Sequence, residues 1–231
     1  MGSTPVEVFW STKATGDQRT VTAQSLPEPV PAGSSVYRLR QVHGSEVAVV
    51  GAAPVPGTTA WATSSDGAVP EADAVVGVGA GSCLVVLTAD CAPVALGSPE
   101  GVHGAVHVGW RGLVAGVIGR AVDAMTALGA SSVVAGLGPT IHHCCYEFGP
   151  AELDVAARRA GDEVRAMATS GAPALDLPGG VRAALRRAGV PLVVEVDRCT
   201  ACGGDGFSYR ARGDEARQGV FVWRTAPGQG R

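Results

Sequence analysis

Apolar residues recur along this chain in two rhythms. Residues 74–78 (Ala-Val-Val-Gly-Val) and 84–87 (Leu-Val-Val-Leu) are continuous apolar runs, the pattern of strands covered on both faces. Residues 7–10, 133–137, 192–196 and 220–223 predict further strands, and two short ones flank His43-Gly44 between residues 36 and 50. The second rhythm runs through 113–128, where Leu113, Val117, Ala121, Met125 and Leu128 return every three or four residues. That spacing predicts one helix ending at Gly129. Further helices are expected over 150–160, where proline suits the first turn, and over 181–188. Buried strands need helices laid over them, so the alternation predicts an α/β domain. Pro27, Pro29 and Pro31 make the approach to Val36 extended, and residues 52–69, rich in Pro, Gly, Thr and Ser, read as a loop.

Composition narrows this picture. With 231 residues, 46% of them hydrophobic and 17% charged, the chain is long enough for a core that needs no staples, and residues 1–231 are expected to form a single domain. Its 33 Gly and 15 Pro imply many tight turns. A net charge of -3 leaves no basic footprint for a nucleic-acid backbone, so nucleic acid is not an expected partner. Lys13 is the only lysine, which fits the codon usage of a GC-rich genome as well as any functional reading. No charged segment followed by an apolar one opens the chain and no stretch is long enough to span a bilayer, so a cytoplasmic protein without a membrane partner is expected. In a reducing compartment its six cysteines read as thiols or ligands, not as a disulfide framework.

The chemistry concentrates between Thr88 and Gly112. Cys91 follows the apolar run that ends at Leu87, and His107 alternates with Val106 and Val108, so on a strand its ring points away from the face those valines bury. His43 lies upstream in Gln41-Val42-His43-Gly44. Two His and one Cys without a fourth protein ligand is the count of a zinc site with one open position. Each also has a plain reading, the thiol as a small core residue and the imidazoles as satisfied structural groups. Other candidates carry less. Cys199-Thr200-Ala201-Cys202 has redox or zinc spacing, but no second such pair completes a four-cysteine site, so structural thiols are expected. Cys144-Cys145 and His142-His143 are vicinal pairs, and adjacent residues rarely bind one metal together; Tyr146-Glu147 beside them is a candidate pocket element. His103 lies between Gly101 and Gly104, which predicts an exposed loop.

Six pieces of the chain carry a resemblance: Gln41 to Gly44; Ala72-Asp73-Ala74; Thr88 to Val94; His107-Val108-Gly109-Trp110-Arg111-Gly112; Gly138 to Ile141 with Cys145-Tyr146-Glu147; and Cys199-Thr200 with Phe207-Ser208-Tyr209-Arg210. In this order the chain resembles the YfiH family, also called laccase-domain or multicopper polyphenol oxidase proteins and peptidoglycan editing factor. The resemblance implies a layered α/β/β/α arrangement of mixed sheets, zinc held by His43, Cys91 and His107, and purine nucleoside phosphorylase and adenosine deaminase activities. Adenosine, inosine, guanosine and methylthioadenosine are the implied substrates, with inorganic phosphate as co-substrate. Residues 1–35 match least: the family's Thr-Arg-x-Gly-Gly-Val-Ser has no counterpart beyond Ser11 to Asp17, which leaves any substrate contacts made there without support.

Such a site acidifies a bound water from a pKa of about 15.7 to roughly 7. Hydroxide at C6 of adenine gives deamination, and the departing ammonia needs a proton. Asp90, beside Cys91, is the candidate acid/base group, with acceptance of backbone N–H bonds at a turn as its equal alternative. The H-x-E and P-C-x-x-C signature of cytidine deaminases is absent. Phosphorolysis needs phosphate held near the ribose, and Arg111, expected just before a helix start, is the candidate anion binder, with Trp110 beside it reading as a core anchor for the turn. The same residues admit a cysteine amidohydrolase, with Cys91 as nucleophile and His107 as base acting on an amide such as a peptidoglycan precursor, or a binding module without chemistry. Those readings exclude one another at Cys91, since a thiolate on zinc does not attack a carbonyl. Copper-dependent phenol oxidation is not expected, because five His in all are too few for several copper ions.

Overall fold

Strict period-two alternation builds two stacked sheets. The computed structural model describes residues 5–60 and 69–225, so the expected loop at 52–69 lies partly outside the described residues. In chain order the strands are β1 (Val6–Trp10), β2 (Ser35–Arg38), β3 (Val47–Val50), β4 (Thr59–Ala60), β5 (Ala74–Gly77), β6 (Ser82–Thr88), β7 (Ala92–Gly97) and β8 (His103–Val108). Helices α1 (Trp110–Ala115) and α2 (Val117–Ala127) follow, then β9 (Val134–Leu137), α3 (Pro150–Ala160), β10 (Arg165–Met167), β11 (Pro173–Leu175), α4 (Leu177–Arg187), β12 (Leu192–Glu195), α5 (Tyr209–Arg212) and β13 (Gln218–Arg224).

A four-stranded sheet runs β1-β13-β6-β2, and a seven-stranded one runs β12-β9-β7-β8-β5-β3-β4, while β10 and β11 form a separate pair. Both larger sheets are mixed: β2 joins β6 in parallel while β13 joins it antiparallel, and β7 and β8 are antiparallel at the centre of the larger sheet. Leu84, Val86, Val220 and Val222 face Val50, Val75, Ala95 and Ala105 across the space between the sheets. The alternate residues of the larger sheet, Val47, Val49, Val76, Val94 and Val106 among them, pack under α1 to α4. On the outer side of the smaller sheet, Cys83, Val85, Phe221 and Trp223 meet Val21 and Val30 of the N-terminal segment. That fourth layer is thin, made of two single 3-10 turns at Lys13–Thr15 and Gln18–Thr20 with their loops.

Two expectations change. The face predicted for the 113–128 helix is right, since Leu113, Val117, Ala121 and Met125 are all core residues, but two helices share it. Gly116 sits in the left-handed region (φ 80) and its N–H closes α1 by donating to Leu113 O, so the axis breaks while the apolar stripe continues. His103 is not an exposed loop residue. It opens β8, fully buried, with Nε2 3.2 Å from Ser82 Oγ and Nδ1 3.2 Å from Gly101 O, and burial holds its pKa below the usual value. Pro93 is tolerated inside a central sheet because its ring nitrogen faces the side where β9 has already ended at Leu137, and its carbonyl still accepts from Gly138 N at 2.9 Å.

Gly116→Ala places a Cβ in the left-handed region at a cost of roughly 1–2 kcal/mol, and Tm is expected to fall by about 2–4 °C per kcal/mol for a chain of this length. An unchanged Tm by calorimetry would mean that the break between α1 and α2 relaxes without strain.

Candidate metal centre and active site

The site is assembled where the two sheets part. Gln41 starts it: the side-chain amide donates to Leu87 O (2.7 Å) and Oε1 accepts from Leu87 N (2.8 Å), so one side chain extends the ladder at the end of β6. The next three backbone N–H groups, of Val42, His43 and Gly44, all donate to the Asp73 carboxylate at 3.2, 2.9 and 2.6 Å. Wrapping successive amides around one carboxylate bends the chain tightly, and His43 adopts φ 60, uncommon for a residue with a Cβ. Asp73, fully buried just before β5, also accepts from His107 Nδ1 at 2.8 Å. Burial would push its carboxyl up, but the bonds from His107, Gly44 and Val42 hold it below the usual carboxylate value.

His107 therefore spends Nδ1 on Asp73 and keeps Nε2 for the cleft. Its side of β8 faces the other sheet, opposite to Val106 and Val108, as the alternation predicts. Cys91 stands at the end of the β6–β7 turn. The ligand atoms of His43, Cys91 and His107 lie within 4.8 Å of one another, and the two imidazoles meet edge to face with centroids 4.9 Å apart. Gly109 leaves room for them: a Cβ there would stand 2.9 Å from His43 Cδ2 and 3.2 Å from Cys91 Sγ. Burial alone would keep Cys91 a thiol, yet the charge and hydrogen bonds of His107 and His43 bring its pKa down to about 6. Burial likewise opposes charge on His107, but the Cys91 thiolate and Asp73 raise it to about 9. A thiolate and two imidazoles, one oriented by a buried carboxylate, are a donor set that fits a soft or borderline divalent ion with an open position.

A cavity of about 570 Å³ opens onto these three residues and is also lined by Thr88, Asp90, Tyr146 and Arg210. Asp90 reaches it with both carboxylate oxygens engaged. Thr200 Oγ1 donates to Oδ1 at 2.6 Å and Arg210 N to Oδ2 at 2.7 Å, while Asp90 O accepts from Ile141 N and Thr140 Oγ1. Arg111 lies within the first turn of α1, not ahead of it; its guanidinium is 4.7 Å from the Trp110 ring and does not line the cavity. Trp110 packs edge-on against Phe148, 5.3 Å between centroids, as part of the core layer. The arginines on the cavity wall are Arg19, Arg210 and Arg217. Arg210 caps Glu147 O and covers the Tyr146 ring at 5.4 Å. Sequence reasoning assigned no role to Asp73 or Arg210; the available signal was their place in the Ala72-Asp73-Ala74 and Phe207 to Arg210 motifs.

The sequence profile described as multi-copper polyphenol oxidoreductase laccase matches residues 13–225. The chain belongs to this laccase-domain family, that of YfiH. Within the family it is 42% identical over 191 residues, 81% of this chain and 74% of the relative, to the purine nucleoside phosphorylase ORF3 of Streptomyces griseus. Among solved structures, the Neisseria meningitidis protein NMB0706 superposes with a TM-score of 0.74 at 27% identity, covering 96% of this chain and 95% of that one. The Bacillus licheniformis protein YfiH gives 0.69 at 25% identity, over 82% and 74%. The mixed two-sheet architecture of this laccase-domain chain is thus shared with its structural neighbours. Among the described residues no helix is long and apolar enough to cross a membrane.

Replacing the oxygen that orients His107 should loosen the donors without removing one. Asp73→Asn is expected to weaken divalent-ion binding by about 10–100-fold in a calorimetric titration; a change under about twofold would mean that β8 alone holds the ring.

Proposed function

We propose that the chain is a purine nucleoside phosphorylase that holds one zinc ion on His43, Cys91 and His107 and deaminates adenosine in the same pocket. One observation carries this reading: three convergent donors, with no fourth protein ligand among the described residues, open into a cavity of about 570 Å³, within the range of small-molecule sites. The purine nucleoside phosphorylase named among its relatives supports the substrate class. Bound there, zinc supplies a Lewis acid and an acidified water. Of the alternatives open for Asp90, its four engaged acceptor contacts support holding the turn that carries Cys91. Tyr146 keeps its phenolic proton, since burial and the nearby Cys91 charge push its pKa up to about 12, and so offers a donor and a ring face to a purine. Phosphate is assigned to Arg111 in the first turn of α1, with Arg210 as the cation already on the cavity wall.

The amidohydrolase reading has one observation in its favour. Cys91, His107 and Asp73 form a nucleophile, base and orienting carboxylate in sequence, with the thiol already shifted to about 6. The two readings part on metal dependence. Purified protein is expected to carry zinc, and to release free base from adenosine and inosine only with phosphate present, by chromatography. Chelation should abolish both reactions and zinc should restore them. Cys91→Ser should lose the ion and the activity together. Activity on an amide that survives chelation and dies on alkylation of Cys91 would install the second reading instead, and copper in place of zinc with phenol oxidation would sink both.

Arg111→Ala tests the phosphate assignment. KM for phosphate should rise by about 10-fold or more, the order of one lost charge-assisted contact, with deamination nearly unchanged. Equal losses in both reactions would show Arg111 holding the fold or the nucleoside.

A further inference from the structure

The four cysteines that sequence spacing kept apart meet in space. Cys144 and Cys145, on a 3-10 turn at His143–Cys145, face Cys199 and Cys202, whose pair lacked a partner on the linear chain. All four sulfurs lie within 4.8 Å of one another. The separations from Cys144 Sγ are 3.6 Å to Cys145, 4.0 Å to Cys199 and 3.9 Å to Cys202. A tetrahedron with Zn–S bonds of about 2.3 Å has S–S edges of roughly 3.8 Å. A disulfide would need about 2.05 Å, and all four cysteines are free. We propose that Cys144, Cys145, Cys199 and Cys202 bind a second zinc ion in a closed tetrathiolate site that holds the cavity's loops together.

The backbone is arranged for sulfur charge. The N–H of His142 donates to Cys199 Sγ at 3.4 Å, and those of Ala201 and Cys202 point at the same sulfur. Gly203 completes the turn: its N–H donates to Cys199 O at 2.8 Å, and a Cβ there would stand 2.4 Å from that oxygen. A vicinal pair ordinarily fails to bind one metal together, but the 3-10 turn brings these two sulfurs to edge distance. Four thiolates around a single centre favour zinc, or iron as the rival. Cys202 is exposed, which gives the ion a way in.

The position of this cluster gives it a purpose. Cys145 precedes Tyr146 of the cavity wall, and Thr200, between the paired cysteines, donates to Asp90 Oδ1. Cys199 also bridges to Thr140, whose hydroxyl donates to Asp90 O. A metal here clamps the two loops that present Tyr146 and brace the turn bearing Cys91.

Metal analysis of anaerobically purified full-length protein tests the assignment. Two zinc ions per chain are expected, falling to one in Cys91→Ser and to one in Cys202→Ser, so this count stands apart from the fate of the first site. Alkylation with iodoacetamide, mapped by mass spectrometry on the unmutated protein, avoids any folding defect of the variants. The four cysteines should react at least about tenfold faster after chelation, since a metal-held thiolate is withdrawn from attack. No zinc in Cys91→Ser, equal alkylation with and without chelator, disulfides among the four, or iron in place of zinc would each overturn the proposal.

Discussion

One buried carboxylate holds the centre of this molecule. Asp73 is fully enclosed, and an unpaired charge there would cost several kcal/mol. Four donors meet it instead, three consecutive backbone amides and the Nδ1 of His107. Those bonds do structural and chemical work at once. They fold Val42 to Gly44 against the start of β5, they compensate the left-handed backbone of His43, and they fix which nitrogen of His107 faces the cleft. The fold and the donor set therefore stand or fall together at this residue.

Around that anchor the two sheets supply a platform and an opening. Alternation sends Val106 and Val108 toward the helices and His107 toward the space between the sheets. Ala95 and Ala105 meet Leu84, Val86, Val220 and Val222 in that space, which keeps the sheets in contact. Beyond Leu87 and Thr88 the sheets part and the cavity begins. The ligand positions thus sit on strand ends whose interiors are locked by packing, a rigid support for donors that must converge.

Much of this was legible in the sequence wherever burial leaves a period. The runs at 74–78 and 84–87 are strands, and the stripe from Leu113 to Met125 faces the core, because apolar spacing reports directly on which face is covered. The break at Gly116 was hidden, since one left-handed residue can redirect an axis without disturbing the stripe. His103 was misjudged because Gly101 and Gly104 read as a loop, whereas a Cβ at Gly104 would crowd Val76 Cγ1 at 3.2 Å, a strand glycine making room for its neighbour. Within the site, His43, Cys91 and His107 stood out by residue type and motif, and they do converge. Asp73 and Arg210 did not, because their partners lie 29 to 120 residues away along the chain.

The turn bearing Cys91 shows how far such pairings reach. Asp90 adopts φ 99, a region costly for any residue with a Cβ, and it is held there by contacts from four other residues. Ile141 and Thr140 bind its carbonyl; Thr200 and Arg210 bind its carboxylate. These partners come from segments 50 to 120 residues away, so no local preference of the β6–β7 turn selects that conformation. A turn imposed from outside is fixed by its distant partners, and its next residue is Cys91. The geometry of Cys91 is accordingly set by the distant loops that carry Thr140, Thr200 and Arg210, and anything that ties those loops down acts on the site through Asp90.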